Sequence, residues 1–393
     1  MNNAPAPLEK LLDATAASRQ VVIGLPAPHS LSDHRFPLTP EAAGMLVEKG
    51  FVVKMEAGAA ARIHYADEAY CRCGVTIVER TETLEADIVL YLQALSATDA
   101  RKIKRGALLL SFMHNDVENS EVLRILLRRH VIALALENLT DAQGNLPFAD
   151  ILHEIDGRAA IAIASSLLAD AIHGKGILLG GVAGVVPCEV MIIGSDMTAC
   201  AAAEAAIGLG ATVKMFDNNV YRLRDAIHRL GPGVTCSSLH RRVFESALRS
   251  ADIVVATQTD KNNAAIDSDT INTMKRGVIC FDLTDNPGSA FPSMQLIDLD
   301  IASPSDNDYA SPIRLCYINA GNAVPRTVAM AMSNAFATML DEILVCDGVA
   351  NALKLNDGLR RAAFLFLGKC VNHDVARLLG ERMVDINLFL QFS

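Results

Sequence analysis

The sequence predicts an α/β protein with two doubly wound parallel-sheet domains and a helix-rich C-terminus. The chain has 393 residues, more than a single hydrophobic core usually serves, so two domains are expected. Hydrophobic residues make up 51% of the chain, aromatic residues only 5%, and Trp is absent. The cores must therefore be mainly aliphatic, which suits parallel strands that are buried on both faces. Short apolar runs also alternate with helical segments, the spacing typical of a wound parallel sheet.

The first half of the chain contains the elements of one such sheet. An apolar run at 21–24 predicts a buried strand. Thr39 is placed to cap a helix with Pro40 in its first turn, and Gly50 is placed to end it. The same alternation predicts one further helix at 120–129 and further strands at 51–55, 86–92, 107–112 and 131–136.

The second half repeats the alternation after a helical segment at 153–174 and a glycine-rich connection at 174–184. Helices are predicted at 198–209 and 221–230, and strands at 189–193, 212–216, 253–256 and 278–282. The last segment, 325–393, predicts helices and no further strand. We assign residues 1–150 with 326–393 to one domain and residues 151–325 to the other. The sequence leaves open whether the C-terminal helices span both domains or fold back on the first.

The composition argues against several functional classes. The formal net charge is −10, and the short basic cluster at 101–105 has no interleaved aromatic residues, so no nucleic-acid surface is expected. Residues 1–20 lack the order of a signal peptide, and the longest apolar region, 177–186, is too short to span a bilayer. We therefore expect a cytoplasmic protein without a membrane partner. The nine cysteines predict reduced thiols and no metal site, because Cys71-x-Cys73 has no second pair at metal-ligand spacing.

The predicted strand at 189–193 leads into a turn and a helix start that read Gly194-x-Asp196-x-x-Ala199. The pattern G-x-G-x-x-G/A at such a turn is typical of Rossmann domains, where the turn and the helix N-terminus hold a dinucleotide pyrophosphate. Asp217 ends the next predicted strand, 23 positions after Gly194. An acid there commonly binds the adenine ribose hydroxyls and disfavours a 2′-phosphate. The unit predicts an NAD site, with Gly194, Asp196, Ala199 and Asp217 as cofactor-binding residues.

Asp196 stands where the pattern has its second glycine. That glycine normally lets the backbone approach the pyrophosphate, and Asp adds bulk and negative charge there. Two unit charges ~5 Å apart repel by roughly 3 kcal/mol at an effective dielectric of about 20, which corresponds to about a hundredfold loss in affinity. Asp196 is also placed to cap the helix and to take an amide that a phosphate would use. Two interpretations stay open: an NAD site weakened by Asp196, and a Rossmann-shaped domain that binds a nucleotide poorly or not at all.

Several segments occur in the order found in one protein family. They read Gly24-Leu-Pro26, Asp33-His-Arg35-Phe-Pro-Leu38-Thr39-Pro40, Phe112-Met-His114, Gly144-Asn-Leu-Pro147, Glu154-Ile-Asp-Gly157-Arg158, Gly176-Ile-Leu-Leu-Gly180-Gly181-Val-Ala-Gly184, Gly208-Leu-Gly210-Ala-Thr-Val and Ala323-Val-Pro325-Arg326-Thr327. From about residue 21 to about residue 334, the chain resembles the alanine dehydrogenase family, whose fold is shared with the NAD-binding subunit of proton-translocating transhydrogenase. The resemblance implies that residues 1–150 with 326–393 form a substrate (catalytic) domain and that residues 151–325 form a Rossmann-type NAD-binding domain. It also implies a homo-oligomer.

The resemblance also implies roles for individual residues. In the family, an Arg in the R-x-x-L-T-P segment binds the substrate carboxylate, and Arg35 matches it; a guanidinium pairs well with a carboxylate. A His after an apolar strand acts as acid and base, and His114 matches that position. Asn319 matches a segment that touches nicotinamide. Asp285 is the nearest match to the family's nicotinamide-side Asp and is expected to order water or ammonia.

One departure from the family affects catalysis directly. The family has a Lys-x-Lys-Glu-Pro segment whose second Lys holds the substrate and polarises the keto oxygen, and this chain has Gln93 there. Gln can donate a hydrogen bond, but it has no charge to stabilise a developing oxyanion. The loss is expected to lower the rate roughly 10²–10³-fold, by analogy with removed oxyanion donors. Lys102 and Lys104 lie nearby in sequence and are expected to be solvated charges.

Two functions from different classes follow. The first is an NAD-dependent amino-acid dehydrogenase, which oxidatively deaminates L-alanine or a similar small amino acid to the 2-oxo acid, with activity reduced by Gln93 and Asp196. The second is a catalytically degenerate family member that serves as a ligand-binding or assembly protein. A third hypothesis, a transhydrogenase subunit, is weaker than these two, because that role needs a membrane partner.

Overall fold

The structure is a computed structural model of the protein and describes residues 20–29, 34–113, 119–258, 266–299, 314–346 and 349–390. These residues form two α/β domains, each built on a wound sheet with hydrophobic cores on both of its faces. Within these ranges, no helix combines the length and the apolar character needed to cross a bilayer. The predicted fold class is therefore confirmed.

The strands are short and mostly apolar, as the alternating pattern predicts. They are β1 (Val22–Leu25), β2 (Val52–Glu56), β3 (Thr76–Val78), β4 (Ile88–Leu90), β5 (Leu108–Ser111), β6 (Ile132–Ala135), β7 (Glu189–Ile193), β8 (Thr212–Phe216), β9 (Val234–Ser237), β10 (Ile253–Ala256), β11 (Ile279–Asp282), β12 (Gln295–Asp298), β13 (Leu315–Ile318), β14 (Ala363–Phe366) and β15 (Lys369–Cys370).

Helices connect these strands and follow the second sheet. They are α1 (Pro40–Glu48), α2 (Asp67–Arg72), α3 (Arg80–Leu84), α4 (Ala97–Ala100), α5 (Ser120–Arg128), α6 (Pro147–Ala169), α7 (Met197–Gly208), α8 (Val220–Leu230), α9 (Arg241–Ser250), α10 (Ser268–Asn272), α11 (Pro325–Val345), α12 (Val349–Leu355), α13 (Asp357–Ala362), α14 (His373–Leu379) and α15 (Ile386–Leu390).

The two sheets share the order of their first five strands, in which the third, second and first strands are followed by the fourth and fifth. Among the described residues, the first sheet runs β3-β2-β1-β4-β5-β6-β14-β15 and the second runs β9-β8-β7-β10-β11-β13-β12. Every pair in the second sheet is parallel, as are the pairs from β3 to β6 in the first. The order reverses between β1 and β4 and between β7 and β10. Ligands of wound α/β proteins bind outside the carboxyl ends of the strands at such a reversal.

The expectation of no strand after residue 325 is wrong. Strand β14 pairs antiparallel with β6, and β15 pairs antiparallel with β14. Leu367 and Gly368 between them have φ of 44° and 85°, the backbone of a tight two-residue hairpin turn. A four-residue apolar run has no period of its own, so the sequence does not distinguish it from a piece of buried helix. Its strand conformation comes from pairing with β6.

The C-terminal helices fold back on the first sheet, which answers the question that the sequence leaves open. Val328, Met332 and Phe336 of α11 are fully buried in the core that covers one face of that sheet. The Phe336 ring lies 4.8 Å from the Phe148 ring of α6, centroid to centroid. This packing holds α11 against the core of the first sheet.

Helix α6 belongs to the cores of both sheets. Phe148 near its start packs in the first core, and Ala164 near its end packs in the second. It crosses α7 at Gly157, where a Cβ would lie 2.3 Å from the Thr198 carbonyl oxygen and 2.8 Å from the Ala202 nitrogen. Only glycine permits so close a crossing without displacing backbone. The crossing therefore sets the position of α6 relative to the Rossmann-type sheet.

Candidate functional site

Arg35 lies on the segment before α1, and hydrogen bonds of Leu38 and Thr39 anchor this segment where the helix begins. The Leu38 carbonyl accepts a hydrogen bond from the buried Tyr70 hydroxyl at 2.7 Å. The Thr39 N–H donates to Ser333 Oγ of α11 at 2.9 Å. As predicted, Thr39 Oγ1 caps α1 by accepting from the Ala42 N–H at 3.4 Å. These bonds hold Arg35 at the carboxyl edge of the first sheet, with its guanidinium carbon 6.0 Å from the centre of the Phe112 ring.

Arg35 faces a small cavity that residues of α6, of α11 and of the segment after β13 help to form. The cavity has a volume of about 110 Å³ and is lined by Arg35, Leu152, Ile155, Asp156, Asn319, Gly321, Asn322 and Val328. Asn319 follows β13 of the Rossmann-type sheet, has a left-handed φ of 59°, and donates from Nδ2 to Asp298 Oδ1 at 2.9 Å. The structure thus brings Arg35, predicted on the substrate side, and Asn319, predicted on the cofactor side, to one cavity.

Asp156 is the acid of this cavity. Its Oδ1 accepts a hydrogen bond from the Gly321 N–H at 2.7 Å. A Cβ on Gly321 would lie 2.3 Å from that oxygen, so the glycine is what lets the carboxyl approach the backbone. Burial raises the pKa of Asp156, against the opposing effects of the Gly321 N–H and of the positive charge of Arg35. The side chain is half-buried and shares the cavity with Arg35.

Gln93 follows β4 at the reversal between β1 and β4. Its Oε1 accepts hydrogen bonds from the His29 N–H at 3.1 Å and from the Tyr91 hydroxyl at 3.4 Å. Its backbone carbonyl accepts from Ser111 Oγ at 2.7 Å, which links the ends of β4 and β5. The side chain is 8% exposed. The amide is therefore held at the crevice where the resemblance leads us to expect a Lys, but it carries no charge.

Arg80, a cation that the sequence does not indicate, lies near this crevice. Burial raises the pKa of Tyr91, and the nearby Arg80 opposes that rise. The Arg80 guanidinium is paired with both oxygens of Asp99, at 3.0 and 2.8 Å, and with Glu56 Oε2 at 2.9 Å. It also donates to the Ala27 carbonyl at 2.9 Å. Since two carboxylates surround one guanidinium, Arg80 brings no net positive charge to the place of the missing Lys.

The two lysines that follow in sequence are engaged elsewhere. Lys104 forms an ion pair with Asp87, which precedes β4 and therefore lies at the opposite end of that strand from Gln93. Lys102 Nζ is 3.4 Å from the Thr81 hydroxyl of α3. Neither contact brings an ammonium to Gln93.

His114 lies outside the described residues. The strand that leads to it is described up to Met113, whose N–H donates to the Glu137 carboxylate at 3.0 Å. Asn119 Nδ2 donates to the Met113 carbonyl at 2.9 Å. These two bonds hold the end of the strand beside β6. The role of His114 stays a prediction.

At Gly194, the turn after β7 has the backbone geometry that the first glycine of the pattern predicts. Gly194 has a φ of 122°, and its N–H donates to the Phe216 carbonyl at 2.8 Å. A Cβ there would lie 2.2 Å from Thr257 Oγ1, which follows β10 on the other side of the reversal. A side chain is thus excluded by conformation and by space. Ala199 is fully buried one turn into α7, consistent with close helix–strand packing.

Asp196 caps helix α7 in the way the sequence suggests. Its Oδ1 accepts a hydrogen bond from the Ala199 N–H at 2.9 Å, and its backbone is extended, as is usual at an N-cap. A carboxylate therefore stands at the positive end of the helix and uses one of its amides. A pyrophosphate bound at this turn would meet that negative charge.

Asp217 lines a larger cavity of about 850 Å³ at the carboxyl ends of the Rossmann-type strands. The carboxylate accepts hydrogen bonds from Ser195 Oγ and from the Asn219 N–H, the latter at 2.7 Å. Each carboxylate oxygen can accept more than one hydrogen bond, so these contacts leave capacity for a ribose hydroxyl. Asp285 is exposed and lines the same cavity as Asp217, whereas the lining of the Arg35 cavity does not include it.

These residues allow a test of fit for NAD. The volume of the cleft is that of a cofactor site, and Asp217 lies where the adenosine ribose would be bound. At the pyrophosphate position, Gly194 leaves the backbone open, but Asp196 opposes a phosphate by charge and by capping. The cleft thus offers Asp217 to the adenosine half of NAD, and the turn at Gly194 has a capping carboxylate beside it.

The strand order, the glycine turn after β7 and the acid after β8 together define a two-domain protein of the Rossmann class. Two family models match most of its sequence. The one described as "Alanine dehydrogenase/PNT, N-terminal domain" matches residues 24–154, and the one described as "Alanine dehydrogenase/PNT, C-terminal domain" matches residues 160–373. The chain therefore belongs to the alanine dehydrogenase/PNT family, and the predicted resemblance is confirmed.

Individual relatives agree with this placement. An alanine dehydrogenase of Staphylococcus saprophyticus is 28% identical over 94% of this chain and 100% of its own length. A solved L-alanine dehydrogenase has a TM-score of 0.77 at 22% identity and covers 92% of this chain and 99% of its own. A transhydrogenase from Sinorhizobium meliloti has a TM-score of 0.70 at 16% identity, over 90% and 99% of the two chains.

Three residues of the site went unrecognised in the sequence. Ser195 and Arg80 act through contacts with residues distant in the chain, Asp217 and Asp99, which no local pattern indicates. Asp156 does lie inside a recognised segment, Glu154-Ile-Asp-Gly157-Arg158. The sequence does contain one indication of its role: Asp156 lies at the centre of a mainly apolar helix. A charged group buried in such a place needs a partner.

Proposed function

We propose that the protein is an NAD-dependent amino-acid dehydrogenase that converts L-alanine or a similar small amino acid into the 2-oxo acid. The observation that carries the proposal is the Arg35 cavity, because one guanidinium and the end of a Rossmann-type strand line it together. A small carboxylate bound there would be close to the cofactor side of the molecule. Membership of the alanine dehydrogenase/PNT family supports the same activity.

The proposal assigns a function to each domain. Residues 1–150 with 326–393 form the substrate domain, and residues 151–325 form the NAD-binding domain. In the first, Arg35 binds the substrate carboxylate, His114 moves the proton, and Gln93 donates a hydrogen bond to the substrate oxygen or nitrogen. In the second, Gly194, Ala199, Asp217 and Asn319 hold the cofactor, Asp196 weakens its binding, and Asp285 orders water or ammonia. NAD supplies the hydride acceptor when it is bound.

The activity is expected to be low. Gln93 hydrogen-bonds to the His29 N–H and supplies no positive charge, and the charge of Arg80 is matched by Asp99 and Glu56. A developing oxyanion therefore meets a neutral donor where the family has an ammonium. By analogy with removed oxyanion donors, this costs roughly 10²–10³-fold in rate.

The test is steady-state turnover in both directions, followed by NADH absorbance. NADH with pyruvate and ammonium should be consumed, and NAD with L-alanine should be reduced. Arg35→Ala should raise KM for pyruvate, whereas Arg101→Ala, at an exposed ion pair with Glu121, should not. No turnover by the folded protein at high concentration would contradict the proposal.

The second candidate, a ligand-binding or assembly protein without catalysis, is favoured by the capping bond of Asp196. That bond uses one of the amides at the turn where a pyrophosphate would bind. NADH titration followed by its fluorescence separates the two, because the dehydrogenase requires binding and the degenerate protein does not. The cytoplasmic location and the homo-oligomeric state expected from the sequence stay predictions.

A further inference from the structure

The Arg35 cavity carries two opposite charges, and the proposed function uses only one of them. Arg35 and Asp156 both line this space of about 110 Å³. One water takes about 30 Å³ of the liquid, so the cavity has room for several waters or a molecule of a few non-hydrogen atoms. The rest of the lining is apolar or amide: Leu152, Ile155, Val328, Gly321, Asn319 and Asn322.

The backbone at Gly321 fixes the position of the Asp156 carboxyl group. The Gly321 N–H bonds one carboxylate oxygen at 2.7 Å, and Gly321 leaves no space for a Cβ beneath it. This bond uses one of the carboxylate's several acceptor sites, so further acceptor capacity remains for a ligand. A carboxylate held in this way can accept a charge-assisted hydrogen bond from a cation.

From this arrangement we infer that Asp156 is a specificity-determining residue that binds the ammonium group of an α-amino acid whose carboxylate is bound by Arg35. A zwitterion satisfies both charges of the cavity. A 2-oxo acid brings only a carboxylate and meets repulsion from Asp156. The cavity therefore selects the amino acid over the oxo acid of the same size. This inference rests on the proposed function for its substrate, but it concerns binding and needs no turnover.

The selection depends on the ionisation of Asp156. Burial raises the pKa of Asp156, while the Gly321 N–H from the β13 end, Arg35 from the first sheet and His153 from its own helix act against the rise. The α11 residue that lines the cavity, Val328, is uncharged. As the pH falls through this raised pKa, Asp156 becomes neutral. The preference for the amino acid should then decline.

The test is isothermal calorimetry of the whole protein with L-alanine, pyruvate and propanoate, without cofactor. Asp156→Asn keeps an acceptor for the Gly321 N–H and removes the charge, so it is expected to fold. It should weaken L-alanine binding by roughly tenfold or more, the usual value of a hydrogen bond to a charged group. It should strengthen pyruvate and propanoate binding. Glu154→Gln, at an ion pair on the same helix outside the cavity, should change neither.

The possible outcomes are distinct. Opposite shifts for L-alanine and for the two carboxylates support the inference, even if the protein turns over no substrate and the proposed function fails. Equal strengthening of all three ligands shows that Asp156 only competes for Arg35, and it overturns the inference. Wild-type protein that binds pyruvate as well as L-alanine also overturns it, even if the dehydrogenase reaction is observed.

Discussion

The negative charge of Asp196 is predicted to be the main obstacle to cofactor binding, and two substitutions separate that charge from the cap. Asp196→Asn keeps a side-chain oxygen for the Ala199 N–H, which Asp196 now holds at 2.9 Å. Asp196→Gly removes the charge and the cap together and restores the bare turn. Asn is as good an N-cap as Asp, and Gly costs only a few tenths of a kcal/mol relative to them. Both variants are therefore expected to fold.

The magnitude follows from the charge at the helix end. With ~5 Å between the carboxylate and the nearest phosphate, the repulsion is roughly 3 kcal/mol at an effective dielectric of about 20. Asp196→Asn is expected to tighten NADH binding by up to about a hundredfold. Asp196→Gly should gain at least as much, because it also releases an amide.

NADH fluorescence titration measures these affinities, with thermal unfolding as the check on the fold. Asp267→Asn is the matched control, because Asp267 caps α10 through the Thr270 N–H at 2.8 Å and does not line the cleft. It should leave NADH affinity unchanged. An Asp196→Asn variant that binds no better than wild type refutes the charge argument. A gain in Asp196→Gly alone would attribute the effect to bulk and to the capped amide.

Three further predictions concern catalysis and the support of the site. Gln93→Lys is expected to raise turnover roughly 10²–10³-fold, because it returns a positive charge beside the substrate oxygen, and a steady-state assay without a gain would count against this reasoning. Gly157→Ala is expected to lower the free energy of unfolding in urea by about 1–3 kcal/mol, because its Cβ would lie 2.3 Å from α7 backbone. Gly208→Ala, whose Cβ would meet no atom from outside its own helix within 4 Å, should raise that free energy by about 0.4–1 kcal/mol. Arg80→Ala is expected to cost about 3 kcal/mol at neutral pH, because it leaves two carboxylates without their cation. Burial alone would raise the pKa of Asp99, but its bonds with Arg80 and Ser96 hold that pKa below the ordinary value. The ion pair therefore stabilises the fold fully at pH values above the ordinary pKa of Asp. The difference in stability between wild type and Arg80→Ala should shrink as acid titrates Asp99.

Local sequence signals predicted much of this site. The cap at Thr39, the glycine turn at Gly194 and the cap at Asp196 each depend on residues within a few positions of one another. Such signals are readable because the groups that interact are held together by the chain itself. Alternating apolar runs likewise predicted the strands that are buried on both faces.

Other features depend on contacts between distant residues, and the sequence did not show them. Strand β14 exists because it pairs with β6, more than 200 positions earlier, and its apolar run alone is compatible with a helix. The pairing of Arg80 with Asp99 joins the short helices α3 and α4. The sequence therefore does not indicate that Arg80 is a cation near Gln93.

The sequence by itself determined the family, the two wound sheets and the chemical identity of the groups at each strand end. These follow from apolar periodicity and from short segments whose members are neighbours in the chain. Only the tertiary structure decided that Arg35, Asp156 and Asn319 share one cavity, because that depends on how α6 crosses α7 at Gly157 and on how the segment after β13 contacts α6. Charges far apart in sequence can bind one ligand only when packing brings them to the same cavity.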